Sequence, residues 1–272
     1  MSDQDPVATD THRTAAALGW SVSLEAPATD ATGPVSIGWL LAEQRASILF
    51  DPPTRLRTRH QKPVHPKSAA ACPAVLSLDN RIFEIKCPVD LVLDYTLSDL
   101  GAPGVRNVLG SKSPVRNAAL DHLIIVSPRD EWRHPDRPIL QLRLPYIFLA
   151  DEPVFMAQVP PFFHRPADPL PGLMIGGRFP INVWPRTLSW AFEWHETDRT
   201  LSLKRGDPLF YLQFEVPFPA RPIQMVEAAL TPELQAYLDA IGGVVNLVDQ
   251  TFSLFEAAEK RRPSRLLEPV RR

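Results

Sequence analysis

The sequence predicts a mainly β protein: an antiparallel sandwich or partly closed barrel with a C-terminal helical appendage. Three observations carry that expectation. First, thirty prolines are spread along 272 residues, against only twelve glycines. Proline is excluded from helix interiors and central strands, so apolar runs between prolines read as short strands joined by stiff loops. Second, Leu188, Trp190, Phe192 and Trp194 alternate with Thr187, Ser189, Ala191, Glu193 and His195. That period of two gives one buried face and one face turned to solvent or a ligand. Third, a clear helix start, Thr231-Pro232-Glu233, comes only after the last strand-like run, with Thr as N-cap and Pro at the first helical position.

The elements follow in order. Residues 1–18 read as a mobile N-terminal arm, and 19–222 as the β domain. Trp20–Ala26, Val35–Leu41 and Arg45–Phe50 are apolar runs read as the first strands. Arg55–Lys67 has neither period nor apolar content and reads as a loop. Cys72–Tyr95 reads as a strand pair turning at Asp79-Asn80. Residues 98–118, with Gly101, Gly104 and Gly110, read as one long loop. His122–Ser127, Ile139–Ala150 and Val154–Val159 read as further strands, and Pro160–Pro185 as a proline-dense connection. After Trp194, a strand over Leu201–Lys204 and another over Leu209–Glu215 are expected to form a hairpin around Arg205-Gly206-Asp207. The first of the three runs is expected to pair with one of those two. Residues 223–262 read as the helical appendage. Its second helix, Val244–Lys260, carries a stripe of Leu247, Val248, Thr251, Phe252 and Phe255 that calls for a partner surface. Residues 263–272 read as an exposed basic tail.

Composition excludes several classes. The formal net charge of −2 sets up no global field toward nucleic acid or membrane. No apolar stretch approaches the length of a membrane-spanning helix, and the acidic, polar N-terminal residues do not read as a secretory signal. Two cysteines, Cys72 and Cys87, fit a reducing compartment and read as free buried thiols, so the cytoplasm is the expected location. No nucleophile elbow, Walker loop or dinucleotide glycine pattern is present.

The remaining candidates are few. Glu193 and His195 share one strand face, and with His122 or His164 they could form a histidine–carboxylate metal site. Their alternation alone explains them as exposed polar positions, and no metal is expected. Trp184 and Arg178 are candidate ligand-binding residues, Arg178 through a small Gly-Gly-Arg anion nest. Arg55, Arg57, Arg59, Lys62 and Lys67 are candidate polyanion contacts; the bland reading is a solvated loop.

Two segments carry a resemblance. Cys72-Pro73-Ala74-Val75, Phe83-Glu84-Ile85-Lys86 and Pro88-Val89-Asp90-Leu91, with Lys204-Arg205-Gly206-Asp207-Pro208-Leu209, resemble a poorly characterised family of large tailed phages and some bacteria. The family brings no established activity. The strand–Lys-Arg-Gly-Asp–strand ending is also similar to the closing hairpin of dUTPase-like β-clip proteins, which implies nucleotide processing. This chain lacks that family's catalytic aspartate and phosphate-binding motifs.

The expected function is therefore a non-catalytic binding or assembly protein, phage-related, acting as a homo-oligomer, without cofactor, and with the C-terminal helix as a protein contact. The alternatives are a metal-dependent oxygenase-like enzyme built around Glu193 and His195, or a nucleotide-processing β-clip enzyme.

Overall fold

A computed structural model describes residues 33–43, 47–57, 65, 67–68, 71–218, 220–244, 247 and 252–270. The expected arm, the Trp20–Ala26 run, Arg59, Lys62, Val248 and Thr251 lie outside those residues. Fourteen strands are described: β1 (Val35–Leu41), β2 (Thr54–Arg55), β3 (Ile82–Lys86), β4 (Leu91–Leu97), β5 (Pro103–Asn107), β6 (Ile124–Val126) and β7 (Ile139–Leu149) come first. Then follow β8 (Phe155–Val159), β9 (Gly172–Ile175), β10 (Gly177–Pro180), β11 (Thr187–Trp194), β12 (Leu201–Leu203), β13 (Pro208–Glu215) and β14 (Ile223–Glu227). Four α-helices, α1 (Pro73–Asp79), α2 (Asn117–Leu123), α3 (Pro232–Ile241) and α4 (Phe252–Arg261), complete the described elements. No helix among the described residues is long and apolar enough to cross a membrane.

The strands form three sheets packed as a sandwich, none closed into a barrel. The first has the order β14-β1-β7-β11-β9, with β6 beside the N-terminal half of β7. The second runs β10-β8-β13-β3-β2 and the third β12-β4-β5. Pairing is antiparallel except for β14 on β1. The main core lies between the sheets. It takes Leu140, Leu142 and Leu144 of β7, the Trp190–Phe192–Trp194 row of β11, and Phe210, Leu212 and Phe214 of β13. A second core covers the opposite face of the first sheet, where Leu40, Ile147 and Leu149 meet Leu234 and Tyr237 of α3, Ala258 of α4, and Leu266 and Leu267. This explains why the pattern of β7 changes midway. Arg143 is exposed between buried leucines, whereas Tyr146–Leu149 is buried throughout because both faces are covered.

Several expectations are corrected. Pro73–Asp79 is helical, because proline at the first position and Asn80 at the C-cap override the apparent alternation. Ser47–Leu49 is a 3-10 turn rather than a strand. The long loop over 98–118 contains β5, which an Asp94–Arg106 ion pair at 2.8 Å ties to β4, and the start of α2. His122 belongs to α2, and only Ile124–Val126 is extended. The proline-dense connection holds β9 and β10. β11 pairs with β7 and β9, not with β12 or β13. β12 joins β4 and β13 joins β3 and β8, so Arg205-Gly206-Asp207 hands the chain from one sheet to another and closes no hairpin.

The C-terminal segment is less of an appendage than expected. It begins with β14, inside the first sheet. The Thr231 hydroxyl accepts from Leu234 N at 3.1 Å, the expected N-cap. α4 stops at Arg261, ahead of Pro263. The partner of its stripe is within the chain: Phe255 meets Trp184 edge-on at 5.2 Å. Leu247, by contrast, is 84% exposed. The tail is not free either, since the backbone N–H groups of Leu266 and Leu267 donate to Asp151 Oδ1 and both side chains are buried.

Candidate functional site

The residues singled out in the sequence do not converge. Arg178 leans across the second sheet, donating to Glu215 Oε2 from Nε and Nη2 at 3.1 and 2.7 Å, with its guanidinium 3.8 Å from the centre of the Phe155 ring. Trp184 is buried in the second core, beside a cavity of about 290 Å³ that reaches Val244. Arg55 is consumed by structure rather than offered to a polyanion. It donates to Asn80 O at 2.9 Å and to Ile223 O, and lies over the Phe83 ring. Arg57 and Lys67 are exposed.

Glu193 departs furthest from its expected place. It was expected to be exposed, yet it is 2% exposed. Its Oε1 lies 2.7 Å from His195 Nε2 and 3.7 Å from Arg137 Nη1, and its Oε2 lies 2.9 Å from Arg133 Nε without hydrogen-bond alignment. Both arginines come from the segment between β6 and β7, which runs alongside because Trp194 N bonds Pro138 O. Burial pushes the Glu193 carboxyl up, but the hydrogen bond from His195 and the charge of Arg133 outweigh it and hold it below its usual value. Among the described residues no third histidine or carboxylate joins the pair, and no cluster of three or more His, Cys, Asp or Glu side chains is placed to hold a metal. The sequence did hold a signal for this cluster: Arg133 and Arg137 flank the start of β7, whose first residue, Ile139, is the cross-strand neighbour of Glu193.

A different place collects chemistry. A cleft of about 230 Å³ opens where the three sheets meet, with Trp190 of β11, Leu209 of β13 and Leu203 of β12 on its walls. Pro160, Pro161, Pro166 and Pro208 frame it. Their fixed φ makes the frame stiff, so the cleft is preformed rather than closed by collapse. Phe162 and Leu170 add apolar surface, and Phe162 packs edge-on against Tyr211 at 5.2 Å. The turn at its edge depends on Gly206, whose φ of +85° suits glycine. Arg205 N donates to Asp90 Oδ1 at 2.7 Å and fixes that turn to the third sheet.

The polar groups of the cleft are His164, Ser202, Lys204, Asp207 and Cys87. His164 Nε2 stands 3.8 Å from Asp207 Oδ2, too far for a hydrogen bond. Trp190 is 1% exposed, and its indole N–H, itself closed off from solvent, has no hydrogen-bond partner among the described residues. Ser202 and Cys87 are the nucleophile types present, and neither is activated. No hydrogen bond joins Ser202 or Cys87 to His164 among the described residues. The Cys87 thiol donates to Val89 O at 3.2 Å, and burial pushes it up to about 11. Both cysteines are free, with Cys72 half-buried rather than fully buried. Sequence reasoning passed over this cleft because its walls come from four separated segments, each of which reads only as loop, turn or core. No family model, curated protein or solved structure matches this chain.

Proposed function

We propose that this chain is a non-catalytic binding protein whose ligand sits in the cleft between the Pro160–Pro166 segment and the β12–β13 turn. The observation that carries this reading is a stiff, proline-framed apolar cleft on which a few polar side chains, His164, Ser202, Lys204 and Asp207, converge. Apolar clefts with a few convergent polar groups are the usual form of a small-ligand site. The absence of an activated nucleophile beside His164 favours binding over covalent chemistry.

The test is a thermal-shift screen of a metabolite library against the wild type and the Ser202→Trp variant. Ser202 is an exposed residue of β12, so the larger side chain fills the cleft without entering the core. The reading expects compounds that raise the wild-type midpoint and leave the variant unmoved. Stabilising compounds that act equally on both proteins would place the ligand elsewhere.

A further inference from the structure

The donor balance of the cleft narrows the ligand class, an inference that rests on the binding reading above. Three side chains on its walls bring hydrogen-bond donors: Lys204, His164 and Ser202. One side chain, Asp207, is a dedicated acceptor, and its Oδ2 lies 3.8 Å from His164 Nε2. The site is therefore short of acceptor oxygens. The rest of the lining is Trp190, proline, phenylalanine and leucine side chains, with the Cys87 thiol already donating to Val89 O. An apolar cavity of about 150 Å³ takes up a benzene ring. The 230 Å³ here has room for such a ring and one small polar group.

We propose that the cleft binds a small ring-bearing carboxylic acid, with the ring between the prolines and Trp190 and the carboxylate toward Lys204. A singly charged, planar acceptor suits this balance. Lys204 supplies one full positive charge, while Asp207 at the same mouth repels a dianion such as a phosphate monoester. A ligand amine finds only Asp207 and meets Lys204 as a like charge. A bare hydrocarbon leaves every donor unpaired.

The experiment is a nuclear magnetic resonance titration of the full chain with three probes of one ring size: benzoate, toluene and benzylamine. The readout is the indole N–H resonance of Trp190, assigned among the six tryptophans by Trp190→Phe. Benzoate is expected to move that resonance in a saturable way and to bind at least tenfold more tightly than toluene or benzylamine. Lys204→Met, a change at an exposed position, is expected to weaken benzoate at least fivefold and leave toluene unchanged. Toluene or benzylamine binding as tightly as benzoate overturns the carboxylate assignment and leaves the binding reading standing. If none of the three moves any resonance of the cleft, both fall.

Discussion

Glu193 and Trp190 lie three residues apart on β11, both paired with β7, and they meet different fates. Glu193 is surrounded by groups that complete it: His195, Arg133 and Arg137 all lie within 3.7 Å of its carboxylate. Trp190 stacks on Phe192 at 5.0 Å, yet its N–H is left without a partner. A buried charge that its own chain compensates with opposite charges is a structural device, even though Glu193 Oε2 makes no aligned hydrogen bond. An apolar wall beside a cleft framed by proline, with a few polar side chains at hand, is where an outside molecule has something to gain. The polar cluster that catches the eye in the sequence is thus the weaker candidate, and the apolar row beside it the stronger.

The largest effect expected is on the Trp190 side. Trp190→Ser removes an indole that fills the core and costs about 3–5 kcal/mol, as for large truncations in cores. A chemical denaturation curve checks it, and a loss under about 1 kcal/mol would mean that the indole is not the packing element its 1% exposure indicates.

A smaller, pH-dependent effect belongs to Glu193. Its carboxyl is held below the ordinary value of 4.5 in the folded chain. The group therefore contributes stability that is fully present above its unfolded value and is lost as pH falls through the lower folded value. Glu193→Gln should flatten that part of the stability profile below about pH 4.5 and cost on the order of 1 kcal/mol near neutrality, because the exposed arginines are screened by solvent. A variant with an unchanged acid slope would show that the cluster does not hold the carboxylate ionised.

The smallest effect is a difference in rate. Cys72 is half-buried at the start of α1, while Cys87 is buried, donates to Val89 O and is pushed up to about 11. A disulfide reagent at pH 8 should modify Cys72 first and reach Cys87 only slowly, since the thiolate is the reactive form. Equal rates would mean that the wall of the cleft behind Cys87 opens readily.

The sequence announced its strands better than its site. β7, β11 and β13 were legible because long alternating rows of Leu, Trp and Phe have one physical meaning in a chain this rich in proline. α3 was legible through Thr231 and Pro232, whose roles are local. α1 was misread, because Ala74-Val75-Leu76-Ser77-Leu78 alternates well enough to mimic a strand, and Pro73 at its start decides the matter. β9 and β10 were hidden among prolines. Pairing was beyond reach: neighbours in sequence, β11, β12 and β13, enter three different sheets, a choice made by long-range packing. The same holds for the site. Glu193 appeared exposed by alternation, and only the return of Arg133 and Arg137 alongside it buries it. The cleft depends on four segments brought together by that topology, which no spacing encodes.

The most direct test of the central claim is a crystal structure of the protein with the strongest compound from the thermal-shift screen. The account predicts ligand density between Pro161 and the β12–β13 turn, against Trp190 and within hydrogen-bonding reach of Lys204. Density lying instead against Arg133 and Arg137, with the Glu193 cluster opened to receive it, would contradict it.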